Sequence, residues 1–109
     1  MYKVTGIYPA TVDGWFDFDY YEKHMRMCMD RFGPGAKRFE ITRVISTELD
    51  PGPPKYVCIG TMYVESMEVF YTAMASHLAE ISADVKNYTN IQPDIVVEQV
   101  VVTADTTSA

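Results

Sequence analysis

His24 is the side chain of this sequence best placed to move a proton. It stands in the run Asp19-Tyr20-Tyr21-Glu22-Lys23-His24-Met25, with Tyr20 one helical turn before it and Met27 one turn after. An imidazole titrates near neutrality, so it can take a proton from a small organic molecule or give one back, while a nearby phenol holds that molecule's oxygen. The same position suits a packing histidine satisfied by a backbone carbonyl or a phenol, and spacing alone leaves both readings open. Tyr8, Tyr20, Tyr21 and Tyr63 fall where they can wall a cavity between a sheet and its helices, which would suit an aromatic or alicyclic ligand. Tyrosine bodies also fill cores with their hydroxyls at the rim, the plainer role for each of the four. Gly6 and Gly60, inside strand-like runs, either leave room for a ligand or admit a close neighbour.

Other chemistry is sparse. Cys28 and Cys58 stand thirty positions apart in segments of different type, so they form neither a CxxC pair nor a secreted disulfide framework and read as buried, reduced hydrophobes. His77, Glu80 and Asp84 can share one helix flank, but one histidine and two exposed carboxylates are an incomplete ligand set, and no metal is expected. Asp84 and Asn90 read as local hydrogen-bonding residues that fix the turn into Pro93. No GxGxxG or phosphate loop occurs, and no cofactor is expected.

The elements that must position these side chains follow from pattern. Lys3 to Pro9 reads as a strand. A helix starts from Asp19 as cap, with Glu22 at the capping-box position, and stops at Gly33-Pro34-Gly35; its apolar stripe is Tyr21, Met25, Cys28 and Phe32, with His24 on one shoulder, half buried. Ala36 to Thr47 alternates as a second strand, Glu48 to Pro54 is a loop, and Lys55 to Glu65 is a third strand. Ser66 caps a second helix that runs to about Asn87, and Asp94 to Thr103 is a β-branched final strand before a frayed end. Residues 1–103 form one domain and 104–109 a flexible tail.

This order is the split βαβ pattern of a ferredoxin-like α+β fold, with two helices on one face of an antiparallel sheet. Several strands look apolar on both sides: Tyr56, Cys58 and Met62 oppose Val57, Ile59 and Tyr63, and Val96, Val100 and Val102 oppose Ile95, Val97 and Val101. Two helices cover one face only, so the other is expected to meet a second copy of the chain. With 109 residues and a formal charge of −6, the chain lacks the clustered cations that nonspecific nucleic-acid binding needs. No apolar run approaches the roughly 20 residues of a membrane span and the start is not a signal peptide, so neither nucleic acid nor membrane is an expected partner and the cytoplasm is the expected setting.

Three stretches taken together resemble the EthD-like family: Tyr8-Pro9; Phe16-Asp17-Phe18-Asp19-Tyr20-Tyr21 through His24-Met25; and Ala83-Asp84 through Asn87-Tyr88-Thr89-Asn90-Ile91-Gln92-Pro93. Pro54-Lys55-Tyr56 and Ser66-Met67-Glu68-Val69-Phe70 fit the segment between them. The resemblance implies a dimeric α+β barrel, two ferredoxin-like protomers pressed sheet to sheet, each with a pocket between sheet and helices. It also implies that His24 turns into that pocket. Related barrels include isomerases, cyclases, decarboxylases and cofactor-free monooxygenases, so the fold selects no reaction. The expectation is a homodimer binding a small, largely apolar organic molecule, with His24 as acid or base if the protein is catalytic. A non-catalytic binding protein and a purely structural dimer are the alternatives.

Overall fold

The computed structural model describes residues 1–49 and 52–105. The chain runs β1 (Tyr2–Pro9), α1 (Phe18–Phe32), β2 (Ala36–Arg43), β3 (Tyr56–Val64), α2 (Met67–Asp84) and β4 (Asp94–Gln99), with a single 3-10 turn after each helix. The strands form one antiparallel sheet in the order β2-β3-β1-β4, the ferredoxin-like arrangement. In register, Gly6 lies opposite Gly60 on β3 and Ile95 on β4, so these three face the same side. That side also carries Tyr8, Cys58, Met62 and Val64, which form the core with Tyr21, Met25 and Cys28 of α1.

Local chemistry explains where the elements begin and end, and it departs from the sequence expectation in three places. The cap of α1 is Asp17, not Asp19: its carboxylate accepts the Tyr20 N–H at 3.0 Å. The choice is made outside the helix, because the Asp17 N–H donates to the Tyr88 carbonyl and Phe16 pairs with Thr89, leaving Asp17 extended where the chain must turn. Glu22 is then two residues too far along for a capping box and pairs with Arg26. At the other end, Gly33 takes φ of +78°, a left-handed conformation open to glycine without strain, and its N–H donates to Met29. Ser66 caps α2 as expected, accepting from Val69 N–H.

The other two departures are strand lengths. β2 ends at Arg43, and the last bond of that ladder is from Val44 N–H to the Val57 carbonyl. β4 ends at Gln99 because its partner runs out: Tyr2 lies opposite Gln99, and Val100 N–H donates to the carbonyl of Met1. Val101 and Val102 continue beyond the sheet, 86% and 78% exposed, although their composition is that of a strand. Of the end expected to fray, Ala104 and Asp105 are irregular and exposed, and 106–109 lie outside the described residues, as do Asp50 and Pro51 of the loop before β3.

The helix-free face is less apolar than the alternation suggested. Ile7, Val57 and Ile59 are half-buried there, with Val96 exposed beside them, but Lys3, Glu40, Arg38 and Glu98 share the surface. Lys3 and Glu98 pair at 3.8 Å and Thr5 donates to Glu98, so much of this charge is matched within the face. Exposure also occurs on the helix side, where α2 leaves β4 open: Ile95 is 59% and Val97 42% exposed. No described helix is long and apolar enough to cross a membrane.

Candidate functional site

Two segments some seventy residues apart are bound to each other here. Asn90 accepts the Trp15 N–H and donates to the Asp13 carbonyl, while the Thr89 hydroxyl donates to the Trp15 carbonyl and accepts the Ile91 N–H. Asn90 thus ties the loop before α1 rather than the turn into Pro93. With the bond from Asp17 to Tyr88, this clasp sets the end of α2 beside the first two turns of α1.

At that junction His24 Nδ1 lies 2.9 Å from Asp84 Oδ2. The Asp84 carboxylate also accepts from the Tyr20 hydroxyl at 2.7 Å and from the Asn87 amide at 3.0 Å. Burial by itself would raise the Asp84 carboxyl, but the hydrogen bonds from Tyr20, Asn87 and His24 outweigh it and hold it below the usual carboxylate range. An ionised carboxylate only accepts, so Nδ1 carries the hydrogen and donates it. In neutral His24 the lone pair is therefore on Nε2, at the opposite edge of the ring.

His24 is fully buried, at 5% exposure, rather than half buried. It stacks at 19° on Tyr21, with centroids 6.0 Å apart, and leans on Tyr88 at 4.7 Å. Beyond it, a cavity of about 140 Å³ opens between the helices and the sheet. Gly6 and Gly60 floor it, Tyr8, Tyr21, His24 and Cys28 supply its polar atoms, and methionine, phenylalanine and aliphatic side chains complete the wall. The two glycines have different roles. A Cβ on Gly60 would collide with the Tyr21 hydroxyl, so that glycine admits a phenol; a Cβ on Gly6 would meet the Tyr8 ring at 3.4 Å, so that position keeps the floor low.

Of the four tyrosines singled out in the sequence, Tyr8 and Tyr21 line the cavity. Tyr8 shares a 2.7 Å hydrogen bond with Tyr88, and burial raises the pKa of all three phenols, which therefore stay protonated at neutral pH. Tyr20 and Tyr63 do not line it. Tyr20 is on the outer side of His24, where with Lys23, Asp84 and Asn87 it borders a surface groove. Tyr63 is on the other face of the sheet, donating to Glu40 beneath the Arg38 guanidinium, because it is an odd step along β3 from Gly60. Cys28 Sγ is 3.5 Å from His24 Nε2, and burial, helped by the Asp84 charge, pushes its thiol up to about 12; it is neutral and not a ready nucleophile. Cys58 is fully buried and both cysteines are free.

Asp84 is the residue that sequence reasoning placed in a purely local role. Its partner is sixty positions away, and only the clasp between the two segments brings them together. Glu80 pairs with Arg31 at 2.7 Å and lies 4.0 Å from His77, while Asp84 turns to His24, so the three do not converge, and no metal-holding cluster occurs among the described residues.

A family model described as the EthD domain matches residues 12–92, the interval that contains both bound segments, the two helices and strands β2 and β3. An EthD-like protein from Ralstonia eutropha shares 35% identity over 94% of each chain and superposes with a TM-score of 0.86. An ethyl tert-butyl ether D (EthD) family protein from Bacillus halodurans, 15% identical, covers 92% of this chain and 98% of its own at a TM-score of 0.60. HapK from Hahella chejuensis, also 15% identical, covers 98% of this chain and 100% of its own at 0.59. The last two establish likeness of fold alone. No match is found among curated proteins.

Proposed function

The chain belongs to the EthD family, and from that premise we propose that it binds a small, largely apolar organic molecule in the cavity beneath His24 and moves a proton on it without a cofactor. The observation that carries this reading is the two-sided setting of His24: Nδ1 is engaged by Asp84, which borders the outer groove, while the ring itself borders the apolar cavity. Nε2 acts as the base. As it accepts a proton from the substrate the ring becomes an imidazolium, and the Asp84 carboxylate, held ionised by Tyr20 and Asn87, stabilises that charge and keeps the ring in orientation. The Tyr21 hydroxyl, seated over Gly60, is the group to hold a substrate oxygen. Asp84 is a positioning residue and His24 the catalytic one. Isomerisation, elimination and oxygenation of a carbon acid all begin with such a step.

The test is proton exchange, which requires no knowledge of the full reaction. In D2O the protein is expected to speed deuterium uptake into at least one member of a panel of small cyclic ketones, lactones and phenols. His24→Asn is expected to lose roughly 10²-fold or more of that rate while still binding the molecule. An unchanged rate in His24→Asn would reject the assignment. A second reading, binding without turnover, draws support from the contact of Nε2 with Cys28 Sγ, which gives that edge of the ring a partner within the protein. Ligand binding with no exchange across the panel would favour it, and no binding at all would favour a purely structural dimer.

The working form in this proposal is a homodimer across the helix-free face, where Ile7, Val57, Ile59 and Val96 lack cover. The cytoplasm is the compartment that suits two free thiols.

A further inference from the structure

We propose that the cavity takes a neutral single-ring molecule carrying one hydroxyl, a phenol in chemical class, and rejects carboxylates and two-ring molecules. This rests on the acid–base reading of the same site and specifies its ligand. Size sets the first limit. At about 140 Å³ the space matches the cavities of roughly 150 Å³ that hold benzene, and a fused second ring would have to displace the helices or protrude.

Charge sets the second. Among the described residues, no lysine or arginine lines the cavity, and the ionised Asp84 carboxylate stands behind His24. A carboxylate ligand would give up its water, find no counter-ion and face a like charge.

Hydrogen-bond complementarity sets the third. With Nδ1 donating to Asp84, neutral His24 offers an acceptor at Nε2, and a ligand must bring a donor to it. The present neighbour is the Cys28 thiol at 3.5 Å, a weak donor that a hydroxyl would outdo. Tyr21 can donate in turn to the ligand's oxygen. The remaining wall favours a flat ring over a puckered one, because Met25, Met62, Met74, Phe32 and Phe70 supply sulfur and aromatic contacts. Ile95, half out in solvent at the end of the cavity, marks the entrance.

Calorimetric titration of the full chain with phenol, cyclohexanol, benzoate and 1-naphthol tests this. Phenol is expected to bind saturably and about tenfold or more tighter than cyclohexanol and 1-naphthol, with no heat from benzoate. Gly6→Ala, whose methyl has ordinary contact room but raises the floor, should weaken phenol several-fold. Ile95→Ala, at an exposed site, should narrow the gap between phenol and 1-naphthol. Benzoate, cyclohexanol or 1-naphthol binding as tightly as phenol would overturn the ligand class and leave the acid–base reading standing. Phenol affinity unmoved by Gly6→Ala would place binding elsewhere and overturn the proposal. No binding of any of the four, together with no deuterium exchange on the wider panel, would overturn both readings; no binding with exchange retained would overturn the ligand class alone.

Discussion

His24 presents two different edges, with Nδ1 held by the Asp84 carboxylate and Nε2 turned away from it beside the Cys28 thiol. Its place beside the Tyr21-Met25-Cys28 stripe identifies a ring near the core, whereas the carboxylate that gives the ring a direction comes from the far end of the other helix. A pattern that repeats every three or four residues carries no information about a contact sixty positions away, and Asp84 was therefore readable only as a turn residue. Asp84→Asn should reduce proton exchange about tenfold or more and cost about 1–3 kcal/mol of stability at pH 7, since His24 and Tyr20 lose a charged acceptor. The pH dependence follows from the direction of its shift. The native carboxyl titrates below its ordinary value near 3.8, so its contribution is whole above that pH and is lost as pH falls through the lower native value. Urea unfolding at pH 7 and pH 3 should show the wild-type advantage over Asp84→Asn shrinking in acid. An advantage that is constant or grows would contradict an ionised Asp84 as the acceptor.

At the scale of elements, helix and strand types were legible because each amphipathic segment keeps its own period. Boundaries were less so, for reasons that lie outside the segment concerned. The sequence expectation puts the cap of α1 at Asp19, and the pairing of Phe16 with Thr89 moves it to Asp17. Val100 to Val102 has strand composition but no strand beside it, because β1 begins at Tyr2. Thermal or urea unfolding checks the first point: Asp17→Ala should cost about 1 kcal/mol and Asp19→Ala much less. The reverse order would restore Asp19 as the cap. The two opposed glycines illustrate a similar limit, since sequence could not tell which leaves room and which admits a neighbour. Gly60 admits the Tyr21 hydroxyl, and Gly6 keeps the floor of the cavity low.

For the molecule as a whole, the site depends on the clasp between the segments around Asp17 and Tyr88, which are the stretches that carry the family resemblance. They look like separate motifs and act as one hydrogen-bonded unit that aligns α1 with the end of α2. The helix-free face is mixed, with Lys3, Glu98, Arg38 and Glu40 around its aliphatic residues, and the homodimer we propose would bury those residues. Light scattering should give about twice the 12.4 kDa chain mass, and Ile59→Glu should halve it without changing the far-ultraviolet circular dichroism. A wild-type chain that stays monomeric at all concentrations would remove the dimer and leave the cavity as described. Nitrogen-15 NMR of the imidazoles reads the two edges of the His24 ring separately, with the partly exposed His77, which lies 4.0 Å from Glu80, as the second histidine in the spectrum. The His24 ring is expected to be protonated at Nδ1 and bare at Nε2 in its neutral form, with the Nε2 resonance moving when phenol is added; a neutral ring protonated at Nε2, or an Nε2 signal indifferent to phenol, would overturn the assignment of Nε2 as the base.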